Sequence, residues 1–359
     1  MEAVIQQEQS QDKNLDRGIE SFIERSRKIQ SIERLPGDAS ARRYYRVKTL
    51  SISDGLSEPF TSLIVMVMEP FEDLTNHIPF LSIQRHLHEA GVDVPRVLDF
   101  DPKNGFVMLE DLGDATLLRL LQDVSSPEVE RHYFERAIDA LVALHTGTGP
   151  GKSKEKIDGF HLKFDTAKLM WEVNFAIEHF YQKHLNRTIT DQDMKVIQEG
   201  FTQICSELDR EPTVFTHRDY HSRNLMVTPV SGKEPRFVMI DFQDARMGPA
   251  QYDLASLLRD SYYQLDEKQI EKLVTYYVDQ MARHGAPVLD RAHFDRIFDL
   301  MAVQRNFKAI GSFASFLNRR GNPSYLKFIG NTFENIRRNL LKYPEFARLR
   351  EVLYHYYYF

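Results

Sequence analysis

Asp219 and Asn224 stand five apart in Thr216-His217-Arg218-Asp219-Tyr220-His221-Ser222-Arg223-Asn224, and Asp241 closes the apolar run Phe237-Val238-Met239-Ile240-Asp241. Transfer of a nucleotide's terminal phosphoryl group needs such a trio. One carboxylate orients and deprotonates an acceptor hydroxyl, while an amide oxygen and a second carboxylate hold magnesium on the phosphates. Alone, His-Arg-Asp suits a surface turn, and an acid at a strand end is common. In this order, with a hairpin-length gap and a turn at Pro229 to Pro235 between them, they make Asp219 the candidate catalytic residue and Asn224 and Asp241 the candidate metal ligands. ATP and Mg2+ are the cofactors that this chemistry expects.

The spacing is that of the kinase catalytic loop His-Arg-Asp-x-x-x-x-Asn, with Asp-Phe-Gln where a metal-binding Asp-Phe-Gly would stand. Other elements must then supply a nucleotide site. Residues 1–16 are rich in Gln, Glu, Ser and Asp and read as a flexible N-terminus. Ile19, Phe22 and Ile23 suit an amphipathic helix over 17–29. Ile32 to Val47 reads as two strands around a tight turn at Gly37 to Ser40, where small residues let backbone N–H groups approach an anion. Gly37, Ser40 and Arg43 are therefore candidate nucleotide-binding residues. Leu63 to Met68 is a buried strand by its continuous apolar run. A kinase would place a phosphate-binding lysine on it; methionines stand there instead, leaving Arg42 or Arg43 to provide the charge.

Ile78 to Ala90 reads as a helix stopped by Gly91. Val94 to Phe100 and Gly105 to Glu110 are two more strands, running into Glu110-Asp111-Leu112-Gly113, a hinge-like segment whose backbone near Glu110 and Leu112 would hold adenine. Beyond it, apolar periodicity predicts helices over 133–145, 164–184, 191–208, 252–263, 267–284, 292–316 and 324–341, with a Gly/Lys/Ser-rich mobile loop at 146–156. The expectation is an α+β, two-lobed protein-kinase-like fold. Its small N-terminal antiparallel β-sheet lobe, at 17–112, binds nucleotide. Its larger, mainly helical C-terminal lobe, at 113–359, carries catalysis and the acceptor pocket.

With 359 residues, 42% hydrophobic and 27% charged, the chain has ample material for a core. A net charge of −6 argues against nucleic acid or anionic membrane as a partner. Cys205 is the only cysteine, so no disulfide can form within the chain; a buried thiol in a reducing compartment is expected. No apolar run reaches the length of a membrane span, and the N-terminus lacks a basic-then-apolar signal pattern. These features point to a cytoplasmic monomer.

Three features separate the chain from a protein kinase. Only eleven residues lie between Asp241 and Asp253, which leaves no activation loop and no peptide platform. His221 follows Asp219 by two, where protein kinases carry Lys or Arg. A long helical block follows, able to wall off a pocket for a small acceptor. The motif His217-x-Asp219-x-His221-x-x-Asn224 followed by Asp241 resembles that of the aminoglycoside phosphotransferase and choline kinase group. Within that group the chain is most similar to bacterial cell-wall amino-sugar kinases acting on the anomeric hydroxyl of N-acetylmuramate and N-acetylglucosamine. Carrying the closer likeness are Gly37-Asp38-Ala39-Ser40 with Arg42-Arg43-Tyr44, Gln243-Asp244-Ala245 with Gly248-Pro249, Tyr252-Asp253-Leu254, Leu257-Leu258-Arg259-Asp260 and Gln304-Arg305-Asn306-Phe307-Lys308, within about 32–330. The resemblance implies ATP-dependent formation of a sugar 1-phosphate for cell-wall precursor recycling, with a sugar acceptor and a nucleotide as partners.

Asp219 would then accept or orient the acceptor hydroxyl. Asp253 would tie down backbone N–H groups of the loop, and His217 would brace it. His221, Gln243, Asp244 and Arg305 are candidate substrate residues; Arg305 and Lys308, three apart on one helix, share a face that can meet a lactyl carboxylate or sugar hydroxyls. Trp171, the only tryptophan, is expected in the core. Two rival readings remain open: a kinase for an aminoglycoside, choline or a free hexosamine, and a nucleotide-binding pseudokinase scaffold.

Overall fold

The structure is a computed structural model that describes residues 15, 17–36, 42–50, 61–72, 78–153, 156–287 and 290–358. Gly37 and Ser40, expected at the nucleotide turn, lie outside the described residues, as does the segment 1–14. The chain divides into two compact units, 1–78 with 94–113 and 79–93 with 114–359.

Strand alternation builds the first unit. A five-stranded antiparallel sheet runs in the order β1-β2-β3-β5-β4, from β1 (Ile29–Arg34), β2 (Arg43–Thr49), β3 (Ser62–Val67), β4 (Val97–Asp101) and β5 (Phe106–Glu110). Residues two apart share a face in a strand. Tyr45 and Val47, Leu63 and Val65, and Phe106 and Met108 accordingly form one apolar surface, closed by Ile19, Phe22 and Ile23 of helix α1 (residues 17–23). That helix is shorter than the expected 17–29, because Ile29 already belongs to β1. At the end of β5, Asp111 receives Arg46 Nε at 2.8 Å and Arg46 Nη2 at 3.1 Å, Ser62 Oγ at 2.5 Å and the Gly113 N–H at 3.0 Å. Burial pushes this carboxyl up, and those hydrogen bonds outweigh it and hold it below the usual range.

The second unit is mainly helical. Helix α2 (Pro79–Glu89), which the sequence reading placed in the small lobe, clusters here. Its two buried rings meet aromatic partners: Phe80 stacks on Phe242 at 5.1 Å, and His86 packs edge-on against Phe160 and Phe215. After α3 (Leu117–Gln122) come α4 (Pro127–Gly147), α5 (Thr166–Ala176), which continues as a π-helical segment over Ile177–His184, and α6 (Asp191–Asp209). Past the loop-and-hairpin segment lie α7 (Gln251–Leu258), α8 (Glu267–Arg283), α9 (Arg291–Arg320), α10 (Ile329–Leu341) and α11 (Ala347–Tyr358). Helix α7 stops short of the expected 263 because Arg259 and Asp260 are drawn elsewhere. Arg259 pairs with Glu267 at 2.8 Å, and Asp260 accepts from Ser222. Among the described residues no helix is long and apolar enough to cross a membrane.

Helix α9 is the axis of this unit, buried around its whole circumference from Phe298 to Phe307. It crosses α5 closely: a Cβ on Gly311 would lie 2.4 Å from the Ala176 Cα, so only glycine fits. Gln304 Nε2 donates to both Leu169 O and Glu172 Oε2 at 3.2 Å, fixing the same two helices in register. Gly311→Ala should therefore destabilise the protein by about 1–3 kcal/mol through overpacking, read as a lower urea midpoint with an unchanged m-value. Cys205 is buried on α6, and burial pushes its thiol up to about 12, which makes it an inert packing residue.

Candidate active site

Two short antiparallel pairs present the loop 217–224. Strand β6 (Thr213–Thr216) pairs with β9 (Arg246–Pro249), and β7 (Leu225–Val230) pairs with β8 (Lys233–Met239). The loop runs from β6 into β7, and Asp241 follows β8. The Ile240 N–H donates to Asn224 O at 3.0 Å, which places the Asn224 and Asp241 backbones side by side at one end of the hairpin.

The loop is braced at each turn. Asp253, fully buried, accepts the N–H groups of His217 at 2.6 Å and Arg218 at 2.9 Å. His145 Nε2 lies 3.3 Å from the same carboxylate, and its Nδ1 lies 2.8 Å from the Tyr277 hydroxyl. His217 Nε2 reaches Ile240 O at 3.0 Å, linking the loop to the residue before Asp241. Tyr220 donates to Ala137 O at 2.6 Å, and Ser222 gives both its N–H and its hydroxyl to Asp260. Arg218 (φ 81°) and Asp241 (φ 66°) adopt left-handed backbone that costs a non-glycine residue about 1–3 kcal/mol, and these braces hold it. Asp253→Ala would leave two N–H groups without partners; we expect a loss of about 2–5 kcal/mol of stability in urea titration, together with lower kcat.

Asp219 projects into a field of positive charge. Its Oδ1 accepts from Lys308 Nζ at 3.2 Å and lies 3.9 Å from Arg305 Nη2. Burial pushes the carboxyl up, but the charges of Lys308, Arg218 and Arg305 outweigh it and hold Asp219 well below the usual carboxylate range. It nevertheless keeps 26% of its side chain exposed, so an acceptor hydroxyl can reach it. Arg305 is only 5% exposed, and its Nε has no hydrogen-bond partner. The His221 ring packs edge-on against Tyr262 at 5.2 Å, and burial, opposed by Asp219 and aided by Arg305, pulls its pKa down to about 3. It is therefore a neutral imidazole at pH 7.

The remaining candidates divide. Gln243 Nε2 donates to Asp241 Oδ1 at 2.7 Å, so it holds the candidate metal ligand. Asp244 is taken by Arg218 Nη1 at 2.6 Å. In the first unit Arg43 is an exposed residue opening β2; Glu110 is buried at the end of β5, with its carboxylate on Arg96, and Leu112 is buried. The sequence showed Arg246 only as a charge mixed with Asp244 that disfavours an aminoglycoside, and it missed Lys168; the charges of both interact with that of Arg218. Lys168 has no local signal.

A divalent metal fits this donor set. Asn224 turns its Nδ2 to Asp219 O at 3.0 Å, which leaves its oxygen as the free end of the amide, and Asp241 is exposed beside it. Among the described residues no three His, Cys, Asp or Glu gather to hold a metal, so a closed cage is not offered. Magnesium needs none, since it keeps one or two protein oxygens and completes its shell with phosphate and water.

A small antiparallel sheet unit, a helical unit, and a braced loop presenting an acid beside an amide and a second acid together define a kinase-like phosphotransferase fold. The sequence matches the family model described as Phosphotransferase enzyme family (APH) over residues 31–287, and the chain belongs to that family. It is 33% identical over 321 residues to the N-acetylmuramate/N-acetylglucosamine kinase of Pseudomonas aeruginosa, covering 88% of this chain and 86% of that one. The protein of the same name from Neisseria meningitidis serogroup B is 33% identical over 317 residues, with 88% and 87% covered. Among solved structures, the choline kinase LicA from Streptococcus pneumoniae superposes with a TM-score of 0.57 at 16% identity, over 91% of this chain and 99% of that one. The ADP-bound aminoglycoside phosphotransferase APH(2'')-Ib gives 0.57 at 16% identity, over 88% and 96%. These two share the fold.

Proposed function

We propose that the protein transfers the terminal phosphoryl group of ATP to the anomeric hydroxyl of N-acetylmuramate or N-acetylglucosamine, making the sugar 1-phosphate for cell-wall precursor recycling in the cytoplasm. The carrying observation is Asp219 on a braced loop beside Asn224 and Asp241, with Lys308 on its carboxylate. The acceptor is supported by the names of relatives one-third identical over most of the chain.

Asn224 and Asp241 would hold Mg2+, with Gln243 fixing the Asp241 carboxylate. When bound, that ion neutralises negative charge on the nucleotide phosphates. Asp219 accepts a hydrogen bond from the acceptor hydroxyl and takes its proton. The acceptor oxygen forms the new bond to phosphorus, and the bond to the bridging oxygen breaks, its electron pair leaving with ADP. Lys308 and Arg305, already at Asp219, face the oxygens of the group in transit and supply the positive charge that β3 lacks. The same cations disfavour a polycationic aminoglycoside as acceptor.

The test is 31P NMR of the protein with Mg·ATP and a panel of N-acetylmuramate, N-acetylglucosamine, free hexosamines, choline and kanamycin. The expected product shows phosphorus coupled to an anomeric proton. Phosphate on another hydroxyl would discard the substrate, and bound ATP with no transfer to any acceptor would favour a pseudokinase. Asp241→Ala should weaken Mg2+-dependent ATP binding about tenfold or more in calorimetry, while metal-free nucleotide binding is unaltered.

A further inference from the structure

Two groups of cations in the second unit bear on the site. Lys308 and Arg305 make the ion pairs of Asp219. Lys168, Arg218 and Arg246 form an outer group: Arg218 is tied to Asp244, the Arg246 guanidinium lies over the Phe164 ring at 5.2 Å, and Lys168 approaches Glu172 at 3.7 Å. Arg218 and Arg246 meet at Asp244, whose carbonyl accepts from Arg246 Nε at 3.4 Å, and the Phe164 ring under Arg246 stands four residues before Lys168. Burial lowers the Lys168 pKa, and although Glu172 opposes this, Arg218, Arg246 and Lys308 lower it further; burial and Arg218 likewise lower that of Arg246. Asp244 and Glu172 offset part of the repulsion among these three cations, and a further anion among them relieves the rest.

Which anion follows from the ion pairs that Asp219 makes and those it does not. A phosphoryl group bonded to the oxygen at Asp219 meets the inner pair. Lys168 and Arg246 make no ion pair with Asp219 and suit a negative charge borne elsewhere on the acceptor. N-acetylmuramate differs from N-acetylglucosamine by a lactyl ether that ends in a carboxylate. We propose that Lys168 and Arg246, with Arg218 beside them, bind this lactyl carboxylate, so that the site prefers the acidic sugar; this rests on the amino-sugar reading above.

Trp171 has a part in this assignment. It is 57% exposed, contrary to the expectation of core packing, and its ring carries the Lys168 ammonium 4.0 Å from the centroid while Phe175 stacks beside it at 5.6 Å. A cation over an indole face is held there by the ring quadrupole. Trp171 is thus a positioning residue for Lys168.

The experiment measures kcat/KM for both sugars side by side, with calorimetric affinity for each sugar as a readout independent of turnover. Wild type should prefer N-acetylmuramate, with a preference that declines as salt rises. Lys168→Met and Arg246→Gln should each reduce the N-acetylmuramate constant about tenfold more than the N-acetylglucosamine constant, through KM and with weaker sugar binding. Trp171→Ala should lower the ratio in the same direction, and Trp171→Phe should restore most of it. Equal declines for both sugars in both charge variants, or a wild type with no preference, overturn the assignment. Should neither sugar be phosphorylated or bound while another acceptor is, the amino-sugar reading itself falls, and the lactyl site with it.

Discussion

Asp219→Asn is expected to retain the fold and Mg·ATP binding and to lose about 10²–10⁴-fold in kcat, the usual worth of a positioned general base. The substitution changes almost no volume, and the hydrogen bonds of Asp253, His217, Tyr220 and Ser222 that brace the loop do not involve the Asp219 side chain. What disappears is the negative group proposed to orient the hydroxyl and take its proton. Single-turnover transfer together with ATP calorimetry reads the two effects separately, and wild-type turnover in the variant would remove Asp219 from its role. A pH profile adds a check. Because the surrounding cations depress the Asp219 pKa, its acid limb in kcat/KM should lie below the ordinary carboxylate range, leaving activity flat across neutral pH as far as this group is concerned. His221, already neutral, should add no titration near 6.5, its ordinary value.

Lys308→Met should cost about 10²–10³-fold in kcat, as removal of a preorganised charge from a transition state does. Two physical effects contribute. The group in transit loses a cation, and Asp219 loses the 3.2 Å partner that keeps it ionised. The second has a signature of its own. Removing a positive neighbour raises a carboxylate pKa, so the base becomes protonated at higher pH and the acid limb shifts upward. Lys308→Arg should recover part of the rate and return the limb towards wild type. A Lys308→Met variant with undiminished kcat and an unmoved limb would rule out the lysine as the phosphoryl contact.

The inner site was legible to unequal depths. Asp219, Asn224 and Asp241 stand close in sequence, and a loop and hairpin of fixed length bring them together, so spacing alone carries the inference. Gln243 and Asp244 were expected to meet the substrate, and their side chains bind Asp241 and Arg218. Arg305 and Lys308 were recognisable as one helical face, but what that face meets depends on how α9 is set. That is decided by the Gly311 crossing and by Gln304.

By itself the sequence determined the chemistry, the antiparallel sheet, most of the helices and the family resemblance, because each depends on residues within one turn, strand or hairpin of each other. Only the tertiary structure decided the rest. It drew α2 into the helical unit, linked Asp253 to His145 and through it to Tyr277, exposed Trp171 beneath Lys168, and set Lys308 and Arg305 of α9 beside Asp219. Glu172 of α5 and Gln304 of α9 are 132 positions apart, and no local propensity encodes their meeting. It comes from packing two helices, which a single missing Cβ permits.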